Sequence, residues 1–325
     1  MKKTLCFSLV VALILVLGAC SNKTGGSDDG SSLEGEFVTV LTGGSSGVYF
    51  PLGGAMAKIY QEMGANANSQ STAASAANIT TLNKGDAEVG FSMGDAAEDG
   101  YKGIDSFEEQ GAQENIRSIA SLYPNYLQIV ATADSGIKTI EDLKDKNVAV
   151  GAPASGTEIS AKRVLEAYGM SYDDINEDFL SFAEGVEGIK NGTIDAVVIS
   201  SGLPNAGVME LQTTNDIVVV EIAEEKVLEM QKNYPSFFPA TVGADVYGLD
   251  IDTPTIGVNN VLLTHSDVSD EVVYELTKGF FENLDTLKDT HNAAKDIDIK
   301  NALKNLPAPL HPGAKKYFDE QGISE

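Results

Sequence analysis

The sequence predicts an α/β protein with two lobes. Apolar segments of strand length alternate with helical segments, a pattern typical of parallel sheets covered by helices. The 325-residue chain is also long for a single hydrophobic core. In addition, Lys84-Gly85-Asp86-Ala87 is echoed by Asn191-Gly192-Thr193-Ile194-Asp195-Ala196, and each stretch leads into an apolar segment. The echo indicates equivalent strands in two similar lobes.

The elements follow from apolar runs and their flanking residues. Seven runs predict strands: Phe37–Leu41, Val89–Met93, Leu127–Ala131, Val148–Val150, Ala196–Ile199, Ile217–Val220 and Gly257–Leu263. Longer periodic stretches predict helices over Pro51–Met63, Glu158–Tyr168 and Asp270–Leu287.

The first residues have the order of a signal peptide. Lys2 and Lys3 precede an apolar run that is shorter than the ~20 residues a bilayer requires, and Leu17-Gly18-Ala19-Cys20 follows. This last stretch resembles the lipobox of bacterial lipoproteins, which implies cleavage after residues 1–19 and diacylation of Cys20. An ordinary secretory signal with a chance cysteine is the alternative. Residues 20–35 are polar and small, and we expect a disordered linker that tethers an extracytoplasmic domain to the cell membrane.

Composition excludes several functions. The two cysteines are Cys6, which the signal peptide would remove, and Cys20, so the folded domain lacks a thiol for a disulfide, a nucleophile or a metal site. With 48 acidic and 22 basic residues, the formal net charge is −26, which disfavours a nucleic-acid partner.

Three strand-to-helix junctions are the candidate ligand sites, because open α/β sheets bind ligands at the carboxyl ends of their strands. The first is Thr42–Phe50, where glycines, serines and a helix start favour an anionic group, although Gly and Ser could also simply form a capped turn. It lacks the Gly-Lys-Ser/Thr ending of a phosphate loop. In the second, Ser155-Gly156-Thr157, either hydroxyl residue could serve only as a helix N-cap. The third is Ser201-Gly202-Leu203-Pro204, with Pro204 at an expected helix start.

Four stretches in the same order resemble the TAXI-type solute receptors of tripartite ATP-independent periplasmic (TRAP) transporters. They span most of the chain: Leu41–Ile59, Val150–Met170, Asn191–Glu210 and Leu306–Ile323. The resemblance implies the two-lobe class II periplasmic-binding-protein fold, with hinge-crossing strands near 126–132 and between 240 and 259 and a helical C-terminal part. Lobe 1 would comprise residues 34–126 and 246–325, and lobe 2 residues 127–245. The implied partner is an integral membrane TRAP permease driven by an ion gradient.

The resemblance also implies which residues contact the ligand. They are Ser45, Ser46, Val48 and Tyr49 in the first loop, Ser155, Gly156 and Thr157 in the second, Ser201, Gly202, Pro204 and Asn205 in the third, and Asn78 after the turn Ser71–Ser75. Asn78 could instead cap the following helix. Met93 occupies a position where the family often has Gln, which leaves the ligand in doubt.

The expected ligand is a small organic anion or amino acid, with glutamate favoured by the resemblance. Arg117 and Arg163 are the only arginines, and each is better interpreted as an ion-pair residue than as a carboxylate clamp. Amides, hydroxyls and helix N-termini would then hold carboxylates. Asp95 or Glu184 could bind a ligand amino group.

An enzyme is the main rival class. His265, His291 and His311 are the only histidines, and none has a partner at metal-ligand spacing. The sequence also lacks a Gly-x-Ser-x-Gly nucleophile motif. We therefore expect no catalysis, no cofactor and no metal. A lipid-anchored surface antigen or adhesin and, less favoured, a hydrolase are the alternatives to a receptor.

Overall fold

The computed structural model describes residues 33–324. The predicted signal peptide, Cys20 and most of the predicted linker lie outside the described residues.

One mixed sheet forms the framework of the described chain. Its strands are β1 Phe37–Leu41, β2 Asn66–Gln70, β3 Val89–Met93, β4 Ile116–Thr132, β5 Asn147–Ala149, β6 Asn176–Asp178, β7 Ala196–Ser201, β8 Ile217–Val219, β9 Phe237–Val242 and β10 Thr253–His265. Their order is β2-β1-β3-β10-β4-β7-β5-β6, with β8 paired to β4 and β9 paired to β10.

The sheet has a parallel group at each end and two antiparallel strands between them. β2, β1 and β3 are parallel to one another, as are β7, β5 and β6. β10 and β4 are antiparallel to each other and to their outer neighbours β3 and β7. β3 and β7 therefore occupy equivalent positions, as the repeated Gly-containing sequences predict.

The two central strands are the longest, and each changes partners along its length. The first half of β4 pairs with β10, whereas its second half, from Tyr126, pairs with β7 and β8. β10 pairs with β9 over Thr253–Val258 and with β3 over Asn260–Leu263. The predicted α/β fold with strands that cross between two lobes is thus confirmed. The residue limits predicted for the lobes stay a prediction.

Helices cover both faces of this sheet. They are α1 Tyr49–Glu62, α2 Ser75–Asn83, α3 Gly94–Lys102, α4 Gly156–Ala167, α5 Phe182–Lys190, α6 Ala206–Gln212, α7 Glu224–Met230, α8 Ala244–Tyr247, α9 Asp270–Glu282, α10 Leu284–Thr290 and α11 Pro312–Glu320. Below, lobe 1 denotes the β1–β3 side with α1–α3 and α9–α11, and lobe 2 the β5–β9 side with α4–α8.

Local chemistry sets the helix starts near the cleft. The Ser155 hydroxyl accepts a hydrogen bond from the Glu158 amide and caps α4, as one of the two sequence interpretations proposed. Ser181 and Glu184 form a capping box at the start of α5. These two caps fix how the chain enters lobe 2 helices beside the cleft.

Three predicted elements need correction. The single helix expected over residues 270–287 ends at Glu282, and the side-chain amide of Asn283 donates to the Gly279 carbonyl before α10 begins. The third loop does not start a helix at Pro204; Asn205 caps α6, which begins at Ala206. β4 is far longer than the apolar run 127–131 because its first half, which includes the polar Ser118 and Ser121, pairs with β10.

Apolar side chains fill the space between sheet and helices. One cluster contains the buried faces of α1, α9 and α11 against β1 and β3, with Leu52, Tyr60, Phe280 and Phe318 fully buried. A second packs α5 and α6 onto β7 through Val186, Val197 and Val208. The core of each lobe holds its strand ends, and therefore its cleft loops, in place.

Candidate functional site

A pocket lies between the lobes where the strand-to-helix loops meet. Its empty space is about 600 Å³, including the part open to solvent. The lining residues are Gly43, Gly44, Gly47, Val48, Tyr49, Thr72, Ala73, Ala74, Ser75, Met93 and Asn125 on the lobe 1 side and central strands, and Ala152, Ser155, Gly156, Thr157, Ser181, Phe182, Ser200 and Ser201 on the lobe 2 side.

Six of the predicted ligand residues line this pocket. They are Val48, Tyr49, Ser155, Gly156, Thr157 and Ser201. The structure thus brings the first two loops and the end of β7 to one place, although their role in binding a ligand stays a prediction.

The other six lie outside the lining. Ser45 is exposed, and the Ser46 carbonyl accepts a hydrogen bond from the Asn205 side chain across the cleft, 3.0 Å away. Gly202 lies against lobe 1, where an added Cβ would come within 2.6 Å of the Ala293 Cβ. Pro204 is half-buried beside it. Of these residues, Ser46 and Gly202 therefore join the lobes rather than form the pocket wall.

Asn78 is a buried support behind the pocket. Its amide nitrogen donates to the carbonyls of Thr42 and Phe91, at 2.7 and 2.8 Å, and its oxygen accepts from the Thr72 hydroxyl. The N-cap of α2 is Ala74, so Asn78 does not have the capping role considered as the alternative. Asn78 instead ties α2 to the ends of β1 and β3.

Asp95 is also behind the pocket. It is 2% exposed, and its carboxylate accepts from Arg163 at 2.9 Å. Glu184, the other carboxylate considered for a ligand amino group, accepts from the Ser181 amide and hydroxyl at the start of α5. Both carboxylates therefore already have partners.

Neither arginine lines the pocket. Arg163 forms a buried ion pair between the lobes, which confirms one of the two roles expected for it. Arg117 donates to the carbonyls of Glu114 and Ile116.

Tyr49 connects the pocket to both central strands. Its hydroxyl donates to the Asn260 side-chain oxygen on β10, and the Asn260 amide donates to the Asn125 side chain on β4 at 2.8 Å. Asn125 in turn donates to the Ser200 carbonyl on β7, 3.1 Å away. The Tyr49 ring stacks on Phe91 with centroids 4.9 Å apart. Burial raises the pKa of Tyr49 well above its usual range, so the hydroxyl remains a hydrogen-bond donor.

Met93 brings the lobes into contact at the back of the pocket. Its sulfur lies 3.4 Å from the Ser200 hydroxyl, and a Cβ at Gly156 would be 2.7 Å from that sulfur. Glycine at 156 therefore permits the close approach of α4 to lobe 1.

The electrostatics of the pocket come from the backbone. Among the described residues that line it, none is Asp, Glu, Lys, Arg or His. Four helices begin at lining residues: α1 and α2 from lobe 1, and α4 and α5 from lobe 2. The first amides of a helix have no intrahelical partner and carry partial positive charge. The pocket can thus bind an anionic group from two opposite walls without a cationic side chain.

Several residues that line the pocket are not predicted from the sequence. Ser181 had a readable signal, because Ser-x-x-Glu before an apolar run is a capping box. Asn125 precedes the predicted strand 127–131, so only the structure places it within β4. Thr72 and Ser75 reach the pocket because of how α2 packs, and no local sequence pattern predicts that position.

The histidines have structural roles in two of three cases. His311 is buried; its Nδ1 accepts from the Gly313 amide at 3.1 Å and caps α11. His291 accepts from the Ala293 amide in the same way.

Within residues 33–324, no three metal-ligating side chains come together, and no helix is both long and apolar enough to cross a membrane.

The fold and the cleft define a two-lobe α/β protein with a site at the lobe interface. The chain belongs to the NMT1-like family, whose sequence pattern matches residues 40–322. Two solved structures show the same fold. A protein from Bordetella bronchiseptica RB50 aligns with a TM-score of 0.56 and 16% identity, covering 88% of this chain and 98% of that one. The binding-protein component of an ABC phosphonate transporter from Pseudomonas aeruginosa aligns with a TM-score of 0.52 and 13% identity, covering 81% and 80%. The class II periplasmic-binding-protein fold is thus confirmed.

Proposed function

We propose that this protein is an extracytoplasmic receptor that captures a small organic anion or amino acid between its lobes and delivers it to a membrane transporter. The observation that carries this proposal is the pocket itself, which has two helix N-termini on each wall and no charged lining side chain. Such walls suit a solute with acidic groups that both lobes can bind at once. The receptor would be secreted by the predicted signal peptide and anchored by a lipid on Cys20.

For the partner, we propose a TRAP-type permease driven by an ion gradient. The stretches at 41–59, 150–170, 191–210 and 306–323 support this choice, because they resemble TAXI-type receptors along most of the chain. The Pseudomonas aeruginosa protein with the same fold is a component of an ABC phosphonate transporter, which is the alternative kind of partner. The neighbouring genes separate the two: a large multi-spanning permease without an ATPase gene supports TRAP, whereas an adjacent ATPase gene contradicts it.

A glutamate-like acid is the proposed solute. Its carboxylates would accept hydrogen bonds from the first amides of the helices and from the hydroxyls of Ser75 and Thr157. An ammonium group would find hydroxyl and amide oxygens rather than a carboxylate in the lining. Glutarate, which has the same carbon skeleton without the ammonium group, is therefore the informative comparison.

A thermal-shift screen tests the receptor function. The panel contains glutamate, glutarate, succinate, a phosphonate and a sulfonate, each in excess. A solute that binds only the folded protein stabilises it by mass action and so raises its melting temperature. At a solute concentration of one hundred times Kd, the free energy of unfolding increases by about 2.7 kcal/mol. We expect at least one small acid to stabilise the protein without being consumed. If all five leave the melting temperature unchanged, the proposal is wrong; if one is consumed, the protein is an enzyme.

A further inference from the structure

One buried guanidinium bridges the two lobes behind the pocket. Arg163 on α4 of lobe 2 is 4% exposed, and its Nη1 donates to Asp95 at 2.9 Å. Its Nη2 donates to Asp99 at 2.5 Å and to Asp105 at 3.1 Å. All three carboxylates belong to lobe 1. The other side of the guanidinium faces the Tyr234 ring, 3.9 Å from its centroid.

This cluster is mechanically connected to the pocket. Met93 lines the pocket and directly precedes α3, which carries Asp95 and Asp99. Gly156 lines the opposite wall and opens α4, which carries Arg163. The ion pairs therefore join the two helices whose first residues meet at the back of the pocket. Separating the lobes there requires breaking these bonds.

The charges of the cluster do not balance. One guanidinium faces three carboxylates, and the Asp95 Oδ1 has no hydrogen-bond partner within residues 33–324. Burial raises the pKa of Asp99 to about 7, because the loss of water outweighs the attraction of Arg163 and because Asp95 and Asp105 repel a further negative charge. Burial likewise raises the pKa of Asp95. Other titratable or charged groups on the surrounding elements include Glu98, Tyr101, Lys102, Glu108, Glu158, Lys162, Glu166 and Tyr234, together with Glu224, Glu225, Lys226 and Glu229 on α7, which packs against α4.

We propose that Arg163, Asp95 and Asp99 form an interlobe clasp that holds the lobes closed and becomes stronger as pH falls. Its consequence for solute capture rests on the proposed receptor function, but the clasp itself does not. Arg163 is a positioning residue in this scheme, since it brings the two pocket walls together without touching the pocket.

The direction of the pH effect follows from proton linkage. Opening would return Asp99 to water, where an aspartate has a pKa of about 3.9. The closed form then binds an additional proton between about pH 4 and 7. Closure is therefore most favourable at the acidic end of this range and weakens as pH rises toward 7. The closing equilibrium changes by at most about tenfold per pH unit and is level above about pH 7.5.

Small-angle X-ray scattering of the solute-free protein tests the clasp. We expect a larger radius of gyration at pH 8 than at pH 5.5. Asp99→Asn mimics the protonated acid and should stay at the compact value at both pH values. Asp289→Asn, at an exposed position on α10, is the matched control and should expand as the wild type does. Arg163→Lys lacks the planar fork whose two nitrogens reach Asp95 and Asp99 separately, and it should be expanded at both pH values.

Each result supports or overturns the proposal. A wild type with one radius at both pH values contradicts the clasp, and so does an Asp99→Asn variant that expands like the wild type. A thermal melt of each variant confirms that it is folded before the comparison. Because no solute is present, failure here leaves the receptor function standing, and a failed solute screen leaves the clasp standing.

Discussion

Tyr49 joins the pocket wall to both strands that cross between the lobes. Its hydroxyl contacts Asn260 on β10, and through Asn260 it reaches Asn125 on β4. A solute that contacts Asn125 therefore contacts β4 itself, and one that contacts Tyr49 is linked to β10 and β4 through hydrogen bonds. This connection gives Tyr49 a role beyond the ligand contact that the resemblance implies.

Tyr49→Phe should lower both stability and solute affinity. The variant leaves the buried Asn260 oxygen without its hydrogen bond from residue 49, which costs about 1–2 kcal/mol of unfolding free energy. We expect a fall in solute affinity of roughly tenfold, since about 1.4 kcal/mol corresponds to that factor. Chemical denaturation and calorimetric titration with the solute found in the screen measure the two effects.

Tyr60→Phe is the control for that prediction. The Tyr60 hydroxyl is equally buried and donates to the Leu276 carbonyl at 3.2 Å, inside lobe 1 and away from the pocket. It should lose similar stability but keep full affinity. Equal affinities for the two variants would mean that Tyr49 does not act at the pocket.

At the scale of elements, the start of α4 sets how closely the lobes approach. Gly156 is the first residue of α4, and a Cβ there would lie 2.7 Å from both the Met93 sulfur and the Ser75 hydroxyl. The contact is tight because the lobes meet at this point. A larger residue must push the two pocket walls apart.

Gly156→Ala should therefore weaken solute binding more than it weakens the fold. Overpacking of this kind costs about 1–3 kcal/mol, which corresponds to an affinity loss of roughly tenfold or more. Gly54→Ala is the control, because that position on α1 is exposed and an added Cβ meets nothing within 4 Å. It should raise stability by about 0.5–1 kcal/mol and leave binding unchanged. Unaltered binding by Gly156→Ala would show that the walls do not close on the solute.

The strands also show which elements can be predicted from sequence alone. The apolar runs at 37–41 and 89–93 match β1 and β3, because local periodicity is enough to identify a buried strand. β2, with the sequence Asn-Ala-Asn-Ser-Gln, has almost no apolar residue, and pairing with β1 alone makes it a strand. The sequence predicts Ser155 and Thr157 at a strand-to-helix loop, because a loop after a strand carries its own signal, and both residues line the pocket. Asp95 has no such local signal for its ion pair, since its partner Arg163 is distant in sequence.

At the scale of the molecule, the dominant property is acidity. The formal net charge is −26, so the excess acidic side chains repel one another, and they do so more strongly in the compact folded state than in the expanded unfolded chain. The cluster around Arg163 is one local consequence, because one cation there serves three carboxylates.

Salt should therefore stabilise this protein. Raising NaCl from about 0.02 to 0.2 M shortens the Debye length to roughly 7 Å and screens the repulsion. We expect the melting temperature to rise by a few degrees, while an uncharged osmolyte at the same osmolarity gives a smaller rise. A melting temperature that falls with salt would indicate that ion pairs outweigh the net repulsion.

The central claim is that a solute binds between the two lobes at the pocket lined by Tyr49 and Gly156. A crystal structure with the solute that gives the largest thermal shift tests it most directly. We predict that solute oxygens lie within hydrogen-bond distance of first-turn amides from at least one lobe 1 helix and one lobe 2 helix. A solute bound to one lobe only, or outside this pocket, would contradict this claim.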